Sequence, residues 1–139
     1  MRAALHLARL GLGHTGPNPA VGCILVKDAI VVGRGWTQPG GRPHGEAMAL
    51  AQAGDAARGA TAYVTLEPCA HHGQTPPCAN ALIDAGVARV VVAIADPDER
   101  VGGKGLQILK DAGVEVVENV LRDQAWRANL GFFKRITAH

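Results

Sequence analysis

Hydrophobic and polar positions along the chain predict five strands and five helices. Two β-rich runs, 21–27 and 30–35, flank Asp28 and Ala29 and predict a hairpin. Later apolar runs of strand length lie at 61–66, 90–95 and 114–117. Apolar residues at helical spacing predict helices over 3–12, 44–53, 78–85, 104–112 and 123–135. One face of the last helix is expected to carry Trp126, Leu130 and Phe133.

The order of these elements predicts the fold class. An opening hairpin followed by alternating helices and strands is typical of an α/β fold, here a mixed five-stranded sheet in a three-layer α-β-α sandwich. Ligand sites on such sheets lie beyond the carboxyl ends of the strands. We therefore expect the segments after Leu66 and Ala95 to contribute to a site.

Composition and charge disfavour several functional classes. The chain is 47% hydrophobic and 19% charged, which is typical of a compact protein and not of a disordered one. A formal net charge of +2, with no run of Lys and Arg and only 4% aromatic residues, predicts that nucleic acid is not a partner. No apolar stretch approaches about 18 residues, so no membrane partner is expected. Three cysteines without a signal-peptide pattern predict a cytoplasmic protein rather than a disulfide framework.

Residues with metal chemistry occur in three separate stretches. His44 follows Pro43, Cys69 follows Pro68, and Cys78 follows a pair of prolines. One imidazole and two thiolates are a common catalytic zinc set, in which the fourth tetrahedral position is left to water. Because proline favours the first positions of a helix, His44 and Cys78 are predicted to lie at helix starts.

Glu46, two residues after His44, is the candidate proton carrier. The two side chains point about 200° apart on an ideal helix, so they share a pocket only if His44 lies at or before the first helical position. Two thiolates and a neutral imidazole leave bound zinc nearly neutral, so a nearby carboxylate is needed to take the proton of the attacking water. The pattern therefore predicts zinc-dependent hydrolysis with Glu46 as the general base.

A rival interpretation is a closed structural zinc site. His71 or His72 would then supply the fourth ligand of a zinc-stabilised binding module, and Glu46 would have no role. The third cysteine, Cys23, lies in an apolar run and is expected to be a core residue rather than a ligand.

The same residues resemble the zinc deaminases that act on nucleobases, whose general signature is His-x-Glu followed by Pro-Cys-x-x-Cys. The first part is matched at 44–46, whereas eight residues separate Cys69 from Cys78. The longer run over 65–78 resembles the deaminase domain of the bifunctional riboflavin-biosynthesis proteins, and further matches lie at 16–23 and 95–97. The resemblance covers nearly the whole chain.

This resemblance implies a cytidine-deaminase-like fold and a single zinc-dependent deaminase domain over 1–139. It implies hydrolytic deamination of 2,5-diamino-6-ribosylamino-4(3H)-pyrimidinone 5′-phosphate with release of ammonia. The residues implied are the Zn²⁺ ligands His44, Cys69 and Cys78, the proton shuttle Glu46, and the substrate-binding residues Asn18, His71, Gln74 and Asp96. It also implies a homo-oligomer and, in a longer parent protein, a covalently linked reductase domain.

Two alternatives stay open within the same chemistry. The substrate could be cytidine, guanine or transfer-RNA adenosine, and the domain could depend on a reductase partner for activity.

Three positions depart from the residues that are usual in the family. The family usually has histidine at position 37, alanine at 45 and lysine or arginine at 74, where this chain has Thr37, Gly45 and Gln74. Because the Gln74 side chain carries no positive charge, the substrate phosphate would have to be bound by Arg42, Arg100, Lys104 or a partner chain.

Overall fold

In the computed structural model, the described residues are 1–70, 77–98 and 102–137, with side chains described up to 135. The strands are β1 (Gly22–Lys27), β2 (Ile30–Trp36), β3 (Thr61–Val64), β4 (Arg89–Val92) and β5 (Glu115–Val117). The helices are α1 (Arg2–Arg9), α2 (Gly45–Ala53), α3 (Cys78–Asp84), α4 (Lys104–Asp111), α5 (Arg122–Ala128) and α6 (Leu130–Thr137). Every helix among the described residues is too short or too polar for a transmembrane span.

The five strands form one mixed sheet in the order β2-β1-β3-β4-β5. Strand β1 pairs antiparallel with β2 and β3, whereas β4 runs parallel to both β3 and β5. The β1–β2 hairpin turns at Asp28 and Ala29, which both have positive φ, 52° and 63°. That backbone is typical of a tight two-residue hairpin turn. The predicted mixed five-stranded sheet is confirmed.

Helices cover both faces of the sheet. Helix α2 packs on β1 and β2 and also contacts α3, which in turn contacts α4. Helix α1 packs on β1 and contacts α5. The core between these layers contains Leu25, Leu82, Val90, Val92, Leu109 and Phe133. Cys23 is completely buried among them, which confirms its predicted place in the core.

Glycines in β1 and β2 allow the helices to lie directly on strand backbone. A Cβ added at Gly22 would overlap the carbonyl oxygen of Ala4 in α1. On β2, a Cβ added at Gly35 would come within 2.6 Å of the Ala49 nitrogen in α2, closer than a real Cβ ever lies. The start of α2 therefore takes its position from close contact with β2.

The single helix predicted over 123–135 is wrong. Helix α5 ends at Asn129, whose φ of −120° and ψ of 34° are not helical, and a separate helix, α6, follows. Trp126 and Phe133 do meet across the break, with ring centroids 4.9 Å apart, but Leu130 is 36% exposed. The Asn129 side chain bonds to backbone outside the helices, and asparagine competes with helix in this way.

Candidate metal centre

His44 and Cys78 lie at the starts of two helices, as predicted. His44 is the N-cap of α2 with extended backbone, φ −72° and ψ 161°, directly after Pro43. Cys78 is the first residue of α3, and Pro77 is its N-cap. In each case proline stands where the helix begins, so the ligand side chain projects from a well-defined helix end.

The third ligand lies in the loop that follows β3. Parallel strands β3 and β4 end at the same edge of the sheet, where the Glu67 amide donates a hydrogen bond to the Ile94 carbonyl at 3.0 Å. Cys69 comes two residues later. The segments after Leu66 and Ala95, which were expected to contribute to a site, therefore begin side by side at this edge of the sheet.

The three ligand atoms converge. Nδ1 of His44 lies 3.5 Å from Sγ of Cys78, and the Cys78 amide donates a hydrogen bond to Sγ of Cys69 at 3.2 Å. All three ligand atoms lie within 4.8 Å of one another. Zinc bond lengths in tetrahedral geometry place nitrogen and sulfur ligands about 3.6 Å apart, so the cluster has the dimensions of a zinc site.

The charges of the cluster also fit a divalent cation. A hydrogen bond from the Cys78 thiol lowers the pKa of Cys69 to about 4, and the same bond raises the pKa of Cys78 well above its usual range. A hydrogen bond with Cys69 raises the pKa of His44. A bound dication stabilises two neighbouring thiolates, so this pair of cysteines suits a divalent metal ion. His44, Cys69 and Cys78 are therefore positioned to bind a zinc ion.

Glu46 lies beside this cluster in the first turn of α2. Its residue is only 4% exposed, and burial raises the pKa of the carboxyl to about 7. The carboxyl is within hydrogen-bonding reach of the Cys78 side chain. Because His44 is the N-cap rather than a helical residue, both side chains reach the same pocket. A carboxyl with a pKa near neutrality can both accept and donate a proton.

A cavity of about 420 Å³ opens onto His44, Glu46 and Cys69. Its lining further includes Asn18, Thr37, Arg42, Asp96, Lys104 and Phe132. Thr37 is buried, and its hydroxyl accepts a hydrogen bond from the Val21 amide at 2.9 Å. A cavity of this size, with apolar walls and a few converging polar groups, is typical of a small-molecule site.

Two of the four predicted substrate-binding residues line this cavity. Asn18 is half-buried and donates a hydrogen bond from Nδ2 to the Gly41 carbonyl at 3.2 Å. Asp96 is also half-buried, and its Oδ1 accepts a hydrogen bond from the Asp98 amide at 3.0 Å. His71 and Gln74 lie outside the described residues, as do His72 and Arg100.

Two residues of the site were not singled out from the sequence. Phe132 of α6 lines the cavity. Glu67 is buried, and its carboxylate accepts four backbone hydrogen bonds. The one signal for Glu67 was a charged residue directly after an apolar strand and before Pro68.

Comparison with known proteins gives a family match. Residues 1–94, more than half of the chain, match the model of the cytidine and deoxycytidylate deaminase zinc-binding region. The matched part contains His44, Cys69 and Cys78. It also contains Glu46 and Asn18.

Individual relatives cover nearly all of this chain. The riboflavin biosynthesis protein RibD of Haemophilus influenzae is 57% identical over 98% of this chain and 37% of its own length. The diaminohydroxyphosphoribosylamino-pyrimidine deaminase of Buchnera aphidicola is 48% identical over 98% of this chain and 92% of its own length. The solved structure of Acinetobacter baumannii RibD has a TM-score of 0.95 at 54% identity, over 98% of this chain and 38% of that one. The chain thus spans little more than a third of the RibD proteins that it matches.

Proposed function

Because the chain belongs to the family of zinc-binding cytidine and deoxycytidylate deaminases, we propose that it deaminates 2,5-diamino-6-ribosylamino-4(3H)-pyrimidinone 5′-phosphate by hydrolysis. The observation that carries this proposal is the convergence of His44, Cys69 and Cys78 within 4.8 Å of one another beside a buried Glu46. The choice of substrate is supported by the Buchnera relative, which bears the name of this activity and matches this chain over 92% of its length.

The reaction replaces an amino group of the pyrimidine ring by oxygen. Zinc on His44, Cys69 and Cys78, when bound, supplies the Lewis acid that activates water. The Glu46 carboxylate accepts a proton from the attacking water and passes it to the ring nitrogen next to the amine-bearing carbon. The water oxygen bonds to the amine-bearing carbon and gives its second proton, through Glu46, to the amino group. The carbon–nitrogen bond to the amine then breaks, ammonia leaves, and the carbon keeps the oxygen as a carbonyl. Burial of Glu46 supports this role because it brings the pKa of the carboxyl to about 7, where transfer in both directions is efficient.

Positive charge at the rim of the cavity supports a phosphorylated substrate. Arg42 and Lys104 both line the cavity, and both are exposed, so their cationic groups are available to an anion. Asn18 and Asp96 line the same cavity and supply polar groups for the pyrimidine or the ribose. We expect Arg42→Ala and Lys104→Ala to raise the KM for the phosphorylated compound and to leave turnover of the dephosphorylated compound unchanged.

The experiment that tests the proposal is ammonia release by the zinc-loaded protein against a panel of substrates. The panel contains the phosphorylated pyrimidine, its dephosphorylated form, cytidine, guanine and transfer RNA. The proposal expects kcat/KM to be highest for the phosphorylated pyrimidine. A higher kcat/KM for cytidine, guanine or transfer-RNA adenosine would contradict the proposed substrate and assign the chain to another class of deaminase. Stoichiometric zinc with no ammonia from any compound would favour the structural-zinc module.

We also propose that 1–139 act as one deaminase domain that self-associates. Exposed apolar residues on the edge strand β2, Ile30 at 65% and Val31 at 40%, support self-association. Sedimentation at micromolar concentration tests it, and a monomer at that concentration would contradict it. A covalently linked reductase domain in a longer parent protein and a cytoplasmic location stay predictions.

A further inference from the structure

Glu67 lies two residues before Cys69, and its carboxylate bonds to the two segments that carry the cavity residues Asp96 and Lys104. Its Oε1 accepts hydrogen bonds from the amides of Asp96 and Gly103, both at 2.9 Å. Its Oε2 accepts hydrogen bonds from the amides of Gly105 at 2.9 Å and Leu106 at 3.2 Å. Glu67 is 7% exposed, so these four bonds replace almost all of the solvation of its carboxylate. A buried charge is stable in a protein when it is bonded in this way.

Three of the four amides belong to the start of α4. The first amides of a helix have no partner within the helix, and a carboxylate placed there also interacts favourably with the helix dipole. The N-cap residue of α4 is Gly103, which has no side chain that could bond to those amides. Glu67 therefore caps α4 from a different part of the chain, with charge-assisted bonds that are stronger than neutral ones.

Close backbone contact reinforces this connection. A Cβ added at Gly105 would overlap the carbonyl oxygen of Pro68 and would lie 3.3 Å from Oε2 of Glu67. The start of α4 thus lies directly against the residue that precedes Cys69. The same carboxylate thus bonds to the amide of Asp96 and to the amides on either side of Lys104, and both of these residues line the cavity.

The zinc ligands are held by other contacts. Sγ of Cys69 accepts a hydrogen bond from the Cys78 amide at 3.2 Å, and the Cys69 carbonyl accepts one from the Ala79 amide at 3.1 Å. His44 is placed by the start of α2. None of these contacts involves the Glu67 side chain, so a change in that side chain removes none of them directly.

We propose that Glu67 is a positioning residue for substrate binding, which holds Asp96 and Lys104 at the correct distance from Cys69. It acts on substrate affinity and not on proton transfer, because within the described part of the chain its carboxylate bonds only to the backbone of Asp96 and of the start of α4. This inference rests on the proposed deaminase function, and it goes beyond it by assigning a role outside the metal and proton-transfer residues.

The test is to measure KM and kcat of Glu67→Gln and to compare each with the wild-type value. Glutamine keeps one acceptor oxygen but turns an NH₂ group, which is a donor, toward two of the four backbone amides. The hydrogen bonds to those two amides are therefore lost. We expect the KM for the phosphorylated pyrimidine to rise about tenfold, which corresponds to about 1.4 kcal/mol of binding free energy. Zinc content should be unchanged, and kcat should stay within about threefold, as no reacting group is altered. The matched control is Glu115→Gln, since Glu115 is an exposed residue of β5, and its KM should equal that of the wild type.

A second pair of variants tests the same hydrogen bonds at the start of α4 without changing Glu67. Gly103 has φ 86° and its added Cβ meets no atom within 4 Å, so Gly103→Ala strains the backbone of the cap while the fold is retained. Gly113, at the other end of α4, has φ 85° and is equally open. We expect Gly103→Ala to raise KM and Gly113→Ala to leave it unchanged, with equal zinc content in both.

The outcomes separate this inference from the proposed function. Absence of ammonia release by the wild-type protein would overturn the proposed function and this inference with it. If the wild type is active and both Glu67→Gln and Gly103→Ala have the wild-type KM, the role of Glu67 is overturned while the proposed function stands. Loss of zinc or a fall in kcat without a change in KM in Glu67→Gln would also overturn it, since Glu67 would then act through the metal centre.

Discussion

The Asn129 side chain forms two hydrogen bonds with the backbone of Ala20, 109 residues earlier in the chain. Oδ1 accepts from the Ala20 amide at 3.0 Å, and Nδ2 donates to the Ala20 carbonyl at 2.8 Å. The pair joins the break between α5 and α6 to the loop that carries Asn18. Since Phe132 of α6 and Asn18 both line the cavity, this contact connects the C-terminal helices to one side of the site.

The Asn129–Ala20 pair predicts that Asn129→Ala lowers the free energy of unfolding by about 2 kcal/mol or more. Both Ala20 groups would be left buried without their partner, and an unsatisfied buried group costs roughly 1–3 kcal/mol. Urea unfolding measures the change. Gln107→Ala removes an exposed hydrogen bond to Asp111 and should change stability by less than about 0.5 kcal/mol. Equal effects of the two variants would contradict the importance of the buried pair.

Glu46→Gln is predicted to retain stoichiometric zinc while kcat falls by about 10²–10⁴-fold. Glutamine has nearly the same shape but cannot accept and return a proton, and general acid–base catalysis contributes about that factor. Ammonia release and zinc content, measured on the same preparation, check both parts. Glu118→Gln is the surface control, because Glu118 forms an exposed ion pair with Lys110 of α4. Activity within tenfold of the wild type would remove Glu46 from proton transfer.

The cysteines are predicted to fall into two classes on mutation. Cys78→Ala should abolish zinc binding and lower the thermal midpoint, because the metal stabilises the folded chain. Cys23→Ala should retain zinc and cost about 1 kcal/mol from the loss of a buried side chain. A chelator should lower the midpoint of the wild type and of Cys23→Ala but not that of Cys78→Ala. Zinc retained by Cys78→Ala would show that the ligand set is wrong.

Gly35→Ala is predicted to cost about 1–3 kcal/mol and to weaken zinc binding. The added Cβ would come within 2.6 Å of the Ala49 nitrogen, so α2 must move away from β2, and His44 lies at the start of that helix. Gly131→Ala in α6 meets no atom within 4 Å and should change stability by less than about 1 kcal/mol. Thermal unfolding and zinc titration of the two variants give the comparison. Unchanged zinc affinity in Gly35→Ala would mean that the helix start does not position His44.

The metal ligands could be identified from the sequence because few residue types bind zinc and because prolines mark the helix starts that present them. His44, Cys69 and Cys78 were predicted on those grounds, and the structure brings them together. The sheet was also predictable, since its strands are rich in apolar and β-branched residues and turn signals separate the first two. The final helix was not, because its break depends on a partner far away in the chain.

The sequence by itself determined the chemistry available to this protein: an imidazole, two thiols and a carboxyl at spacings that favour a catalytic zinc site. Only the tertiary structure decided how the surrounding cavity is held. Glu67 and Asn129 both bond to backbone amides or carbonyls, at positions as distant as Leu106 and Ala20. Every residue except proline carries both groups, so such bonds leave no signature in the side-chain pattern, and only folding selects which of them are made.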